Sequence, residues 1–114
     1  MKFERLPEFD SDVKFLLKRF RTLQEDLQIV EKVLTVLPEE RPPFSVRIDH
    51  LGLKTCVIKV RKMACKALKG RGVQSGLRLI YAYFQEEETI VWVELYYKGD
   101  QETERRDRIL RYFE

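Results

Sequence analysis

Two runs in the second half of the chain, GLRLIYAYF at 76–84 and TIVWVELYY at 89–97, leave little freedom in how this protein folds. Both are dense in aromatic and β-branched side chains, which suit a pleated, half-buried surface. Only QEEE, residues 85–88, stands between them, and so polar a connection marks a hairpin of antiparallel neighbours. A hairpin alone is marginal in water, so the remaining chain must add strands and a cover for the apolar faces.

Both are present upstream. TCVIKVRKM, 55–63, alternates Cys56, Ile58 and Val60 with Val57, Lys59 and Arg61, the period of a strand with one wet face. KFERL, 2–6, is short and alternating and reads as a first edge strand. Asp10 and Ser11 offer N-caps for a first helix with Val13, Leu16, Leu17 and Phe20 on one face. Thr22 and Glu25 have the spacing of a capping box and open a second helix. Its Leu23, Leu27, Val30, Leu34 and Leu37 step by four and three as one stripe, and Pro38 ends it. With almost no connector, the two helices make an antiparallel hairpin. PEERPPF, 38–44, is linker-like. Asp100 is placed to cap a last helix, QETERRDRILRYF, whose acids come early and arginines late, in agreement with the helix dipole. Ile109, Leu110 and Phe113 are its anchors, enough for loose packing on the sheet edge. The expected class is α+β: an N-terminal two-helix hairpin packed on a small twisted antiparallel sheet, with a C-terminal helix.

At 114 residues the chain has room for one core, so a single domain spanning 1–114 is expected. No apolar run approaches the roughly 20 residues that cross a bilayer. The N-terminus MKFERLPEFD is acidic and broken by Pro7, unlike a signal peptide, and the expected compartment is the cytoplasm. Cys56, Cys65 and the lone His50 are too few for a structural zinc site, which takes about four ligands. The cysteines read as buried thiols on strands, and no metal or cofactor is expected.

The net charge of +3 conceals an asymmetry. Residues 54–81 carry Lys54, Lys59, Arg61, Lys62, Lys66, Lys69, Arg71 and Arg78 and not one acid. Residues 1–53 hold nine cations against ten acids, and residues 82–114 five against nine. A basic stripe on an acidic frame is either a solvated face or a surface for a polyanion.

Within that stripe, GRGVQSG at 70–76 resembles a nucleotide loop only superficially. The dinucleotide fingerprint needs a third glycine where Ser75 stands, and a helix after it where a strand follows. No Gly-Lys-Ser/Thr follows Gly70 either. Gly70, Gly72 and Gly76 are turn residues. The cations are a separate matter. Lys66, Lys69 and Arg71 crowd the loop, and Arg78 stands on an otherwise apolar strand, sharing a face with Ile80, Ala82 and Phe84. Its planar fork matches phosphate geometry, whereas Glu94 on the next strand offers a plain cross-strand ion pair. Both readings stand at this level. Trp92, Tyr96 and Tyr97 read as sheet core and rim.

SGLRLIYAY, the acidic hairpin and VWVELYYKGD together resemble the RelE/ParE superfamily of bacterial and archaeal toxins, and PEFDSDVKFLLKRF is similar to their first helix. The resemblance runs over essentially the whole chain. It implies a two-helix hairpin against a twisted antiparallel sheet and, for RelE-like members, ribosome-dependent and metal-independent endonucleolytic cleavage of mRNA. It assigns Arg78 to the scissile phosphate, with Lys69, Arg71 and Lys98 as further catalytic cations. Lys59, Arg61, Lys62, Lys66 and Arg105 would line the RNA path. Two positions depart from the founding members: Gly99 stands where they have an arginine after the lysine, and Arg105 where they have a catalytic tyrosine. Those departures favour the alternatives, a ParE-like inhibitor of DNA gyrase or an attenuated member that only binds. A toxin implies a cognate antitoxin, and an exposed apolar patch beside residues 54–81 to receive it.

Overall fold

In the computed structural model, which describes residues 1–114, the QEEE hairpin is the spine of a five-stranded sheet. β1 (Lys2–Arg5), α1 (Pro7–Leu17), α2 (Leu23–Val36), β2 (Ser45–Arg47), β3 (Cys56–Val60), β4 (Leu77–Phe84), β5 (Thr89–Tyr97) and α3 (Arg106–Phe113) follow in chain order. The strands lie in the order β1-β5-β4-β3-β2. β4 and β5 pair antiparallel from Leu77–Tyr97 to Phe84–Thr89, with a bulge at Ile80/Tyr81. No helix is long and apolar enough to cross a membrane.

The expected α+β layering is present, with three corrections at the sheet. First, β1 runs parallel to β5, pairing Lys2–Thr89 through Arg5–Trp92, so the sheet is mixed rather than wholly antiparallel. Second, β2 pairs antiparallel with β3 at its other side, a three-residue strand hidden behind the prolines. Third, β3 has no wet face. Cys56, Ile58 and Val60 turn to the helices with Tyr83, Tyr81 and Leu79, while Val57 on the opposite face is equally buried.

Helix starts also differ from the local signals. Pro7 occupies the first turn of α1 directly after Leu6, whose N–H donates to the Trp92 carbonyl, so Asp10 and Ser11 lie inside the helix. A proline there is pre-set for helical φ and lacks only an N–H that had no partner. Phe9 is thereby buried against Trp92, 5.9 Å between rings, with Phe3 5.5 Å from the same indole. Thr22 stands at the α2 N-cap but caps nothing with its side chain. Its hydroxyl donates to Asp26 at 2.9 Å and accepts the Ala67 N–H, while Glu25 pairs with Lys66 instead of closing a box. Leu23, Leu27, Val30 and Leu34 fill the core as the stripe requires, and Leu37 falls beyond the helix end, partly exposed. Fully burying each leucine contributes about 1.5–3 kcal/mol.

Residues 98–105 do not join the last helix. α3 begins at Arg106, because the preceding acids are held elsewhere: Glu104 bonds Lys59 at 2.7 Å, and Gln101 and the Arg105 N–H bond Glu94 at 2.6 and 2.8 Å. This turn and α3 cover the sheet face that α1 and α2 leave bare, with Phe113 6.0 Å from Phe84 and Ile109 wholly buried. Beside its apolar anchors, α3 is tied to the fold by polar contacts. Arg108 donates to Asp12 of α1 at 2.7 Å and to the Val93 carbonyl at 3.0 Å, and the Leu95 N–H donates to Asp12. Past Trp92, where β1 has left, this ion pair satisfies the outer edge of β5.

Candidate RNA-binding face

Along β4, odd residues face the helices, so Arg78, Ile80, Ala82 and Phe84 point to the second face, as alternation requires. Across the strands, Arg78 lies opposite Tyr96 of β5, and Ile80 between Lys59 of β3 and Glu94 of β5. Val60 pairs with Leu79, and continuing that register one step sets Arg61 beside Arg78. The second face therefore has a charged end and an apolar end. α3 covers the apolar end, the 98–105 turn covers the Lys59–Ile80–Glu94 row, and the row Arg61, Arg78, Tyr96 remains at the open rim.

The ion pairs decide which cations are free. Glu94 is taken by Gln101 and by Arg105, 3.8 Å from its guanidinium, so the cross-strand alternative for Arg78 is not realised. Arg78 is half-buried, bonds only the Leu77 carbonyl at 3.1 Å, and has no carboxylate within ion-pair distance. Arg61, Lys62, Lys69, Arg71 and Lys98 also lack acidic partners. Lys59, by contrast, is committed to Glu104, Lys66 to Glu25 at 3.5 Å, and Arg105 to Glu94. Burial by itself would raise the Glu104 carboxyl, yet its hydrogen bond to the Lys59 ammonium holds it below the ordinary value of 4.5. Burial does raise Glu94.

The long β3–β4 loop separates the cations into two groups. The Lys66 and Ala67 N–H groups bond Asp26 and Thr22 at the start of α2, and Ser75 bonds the Met63 carbonyl and the Leu77 N–H. Lys62 and Lys66 thus line a groove of 310 Å³ on α2 with Ile29, Val33, Phe44 and Val73. Lys69 and Arg71 sit exposed at the loop tip, where Gly70 and Gly72 take positive φ. Lys98 returns to the rim, its N–H bonding the Gly76 carbonyl at the start of β4. The cysteines are a buried loop thiol, Cys65, and a half-buried strand thiol, Cys56, both raised by burial.

Packing accounts for one of the two departures. A side chain at Gly99 would collide with the Tyr97 ring, and one at Gly76 would come within 2.8 Å of the same ring, which is wedged between the two glycines and packs on Phe20. Tyr112 bonds Glu8 of α1, away from the rim. Neither tyrosine is free to serve at Arg78. Tyr96, which the sequence suggested only as packing, stands next to it.

No protein-family model and no curated protein matches the sequence. Solved structures do match. The chain superposes on the archaeal RelE–RelB complex from Pyrococcus horikoshii with TM-score 0.58 and 15% identity, over 86% of this chain and 94% of that one. It matches a conserved hypothetical protein from Helicobacter pylori with TM-score 0.59 and 24% identity, over 88% and 97%. A metal-bound toxin from the same bacterium gives 0.56 and 20%, over 89% and 98%. The fold is therefore that of RelE-like proteins, at near full length on both sides.

Proposed function

We propose that this chain is the toxin of a toxin–antitoxin pair, acting as a ribosome-dependent, metal-independent endoribonuclease on mRNA. The observation that carries the reading is Arg78: a guanidinium on the central strand, at an open rim, with no acidic partner, on a RelE-like fold. An unpaired, half-buried arginine is poorly solvated, and phosphate oxygens satisfy its fork better than water.

The chemistry asks for little more. The 2′-oxygen attacks the adjacent phosphorus in line while a base takes its proton; the bond to the 5′-oxygen breaks, and that oxygen takes up a proton. Arg78 and Lys98 neutralise the charge that develops on the phosphoryl oxygens, the largest contribution such a site makes. Lys69 and Arg71, on the loop tip, extend the cationic path for the strand. Lys59 and Arg105 contribute to the field but not as free ligands, because each is committed to a carboxylate.

The partner is an antitoxin, in keeping with the neighbour's complex with RelB. Ile29, Val33 and Val73 are partly exposed along the α2 groove, and Lys62 and Lys66 rim it. That combination suits an amphipathic segment with acidic flanks. Arg78→Ala should abolish growth arrest on induction while lowering the melting temperature by only a few degrees, since no ion pair is lost and only one hydrogen bond and part of a side chain's packing go. Undiminished arrest by that variant would overturn the proposal.

A further inference from the structure

Resting on that reading of the rim, we infer that Tyr96 is a phosphate-binding residue whose hydroxyl donates to the same phosphate that Arg78 and Arg61 hold. Tyr96 is opposite Arg78 in the β4–β5 register, on the same face. Its ring is almost wholly buried, 5% exposed, which fixes it in place. Yet the hydroxyl makes no hydrogen bond within the protein, and no buried polar side-chain atom of the fold lacks a partner, so the part of Tyr96 that stays open includes its oxygen. A buried tyrosine ordinarily finds a partner for its O–H. One that is rigidly held, unpartnered and set across the strand from Arg78 is complementary to an anion that the fold itself does not supply.

The electrostatics agree with a donor. Burial, with the carboxylates of Glu104 and Glu94, pushes the phenol up to about 12 against the pull of Arg78 and Arg61, so the proton stays on the oxygen at neutral pH. The nearby Tyr97 is wedged between Gly76 and Gly99, and Tyr112 bonds Glu8 away from the rim. The arrangement differs from a bare cationic patch in adding an uncharged, directional contact.

The test is the affinity of the full-length protein for a fluorescent 2′-O-methyl oligoribonucleotide, which cannot be cleaved, measured across a salt series. Tyr96→Phe removes one oxygen that bonds nothing in the fold, so its melting temperature should match wild type. Its affinity should fall roughly tenfold or more, as for a hydrogen bond to a charged group. The salt slope should be unchanged, because no charge is lost, whereas Arg78→Ala should flatten it by about 0.7. Tyr96→Phe binding as tightly as wild type while Arg78→Ala binds weakly would overturn this inference alone. Lost affinity together with a lowered melting temperature would assign Tyr96 a structural role and overturn it as well. Arg78→Ala binding as tightly as wild type would remove the functional reading beneath it.

Discussion

Lys59 and Arg78 belong to the same basic stripe, on neighbouring strands of one face, yet their surroundings give them opposite roles. Lys59 is met by Glu104, a carboxylate 7% exposed, and the pair helps hold the 98–105 turn to the sheet. Arg78 is met by no carboxylate and bonds only the neighbouring Leu77 carbonyl. Glu104→Gln should therefore destabilise the fold at neutral pH by about 1–3 kcal/mol, the cost of weakening a buried charged hydrogen bond. The sign with pH follows from the lowered carboxyl: the native state releases its proton more readily than the unfolded chain, so the contribution is present above pH 4.5 and lost as pH falls through the lower native value. Urea melts of wild type and Glu104→Gln should differ at pH 7 and converge as the pH falls well below 4.5. A constant gap across that range would mean the carboxylate is not held by Lys59.

At the scale of elements, β5 depends on partners far away in sequence. β1 covers its outer edge as far as Trp92, and beyond that the Asp12–Arg108 pair does so from two helices. Asp12→Ala leaves Arg108 buried without its counter-charge and should cost about 3 kcal/mol. It should also expose the Leu95 amide, whose hydrogen exchange would accelerate ahead of its neighbours on the β4 side; unchanged protection at Leu95 would contradict the assignment. The elements themselves were legible because periodicity is local. Leu23, Leu27, Val30 and Leu34 announce α2, and alternation on 76–84 places Arg78 on the correct face. What was not legible depends on long-range pairing. Nothing near Asp12 signals Arg108, nothing near Glu104 signals Lys59, and Thr22 looks like a capping residue until the loop at Ala67 docks on it. β1 reads as a strand in sequence, but its parallel direction is set by the site where α1 must begin. Tyr96 is hidden for the same reason: an aromatic on a core strand reads as packing unless the fate of its hydroxyl is known.

At the scale of the whole molecule, Glu104 and Glu25 neutralise Lys59 and Lys66 of the stripe, and what survives is a rim of free cations and a loop tip, with a separate groove on α2. One surface is chemically suited to RNA and the other to a protein segment. The proposed function turns on Arg78. The most direct measurement maps mRNA 5′ ends in cells shortly after induction of wild type and of Arg78→Ala. New ends inside translated reading frames with wild type, and none with Arg78→Ala, are expected. Intact messages during wild-type growth arrest, with loss of DNA supercoiling, would contradict the account and point to gyrase instead.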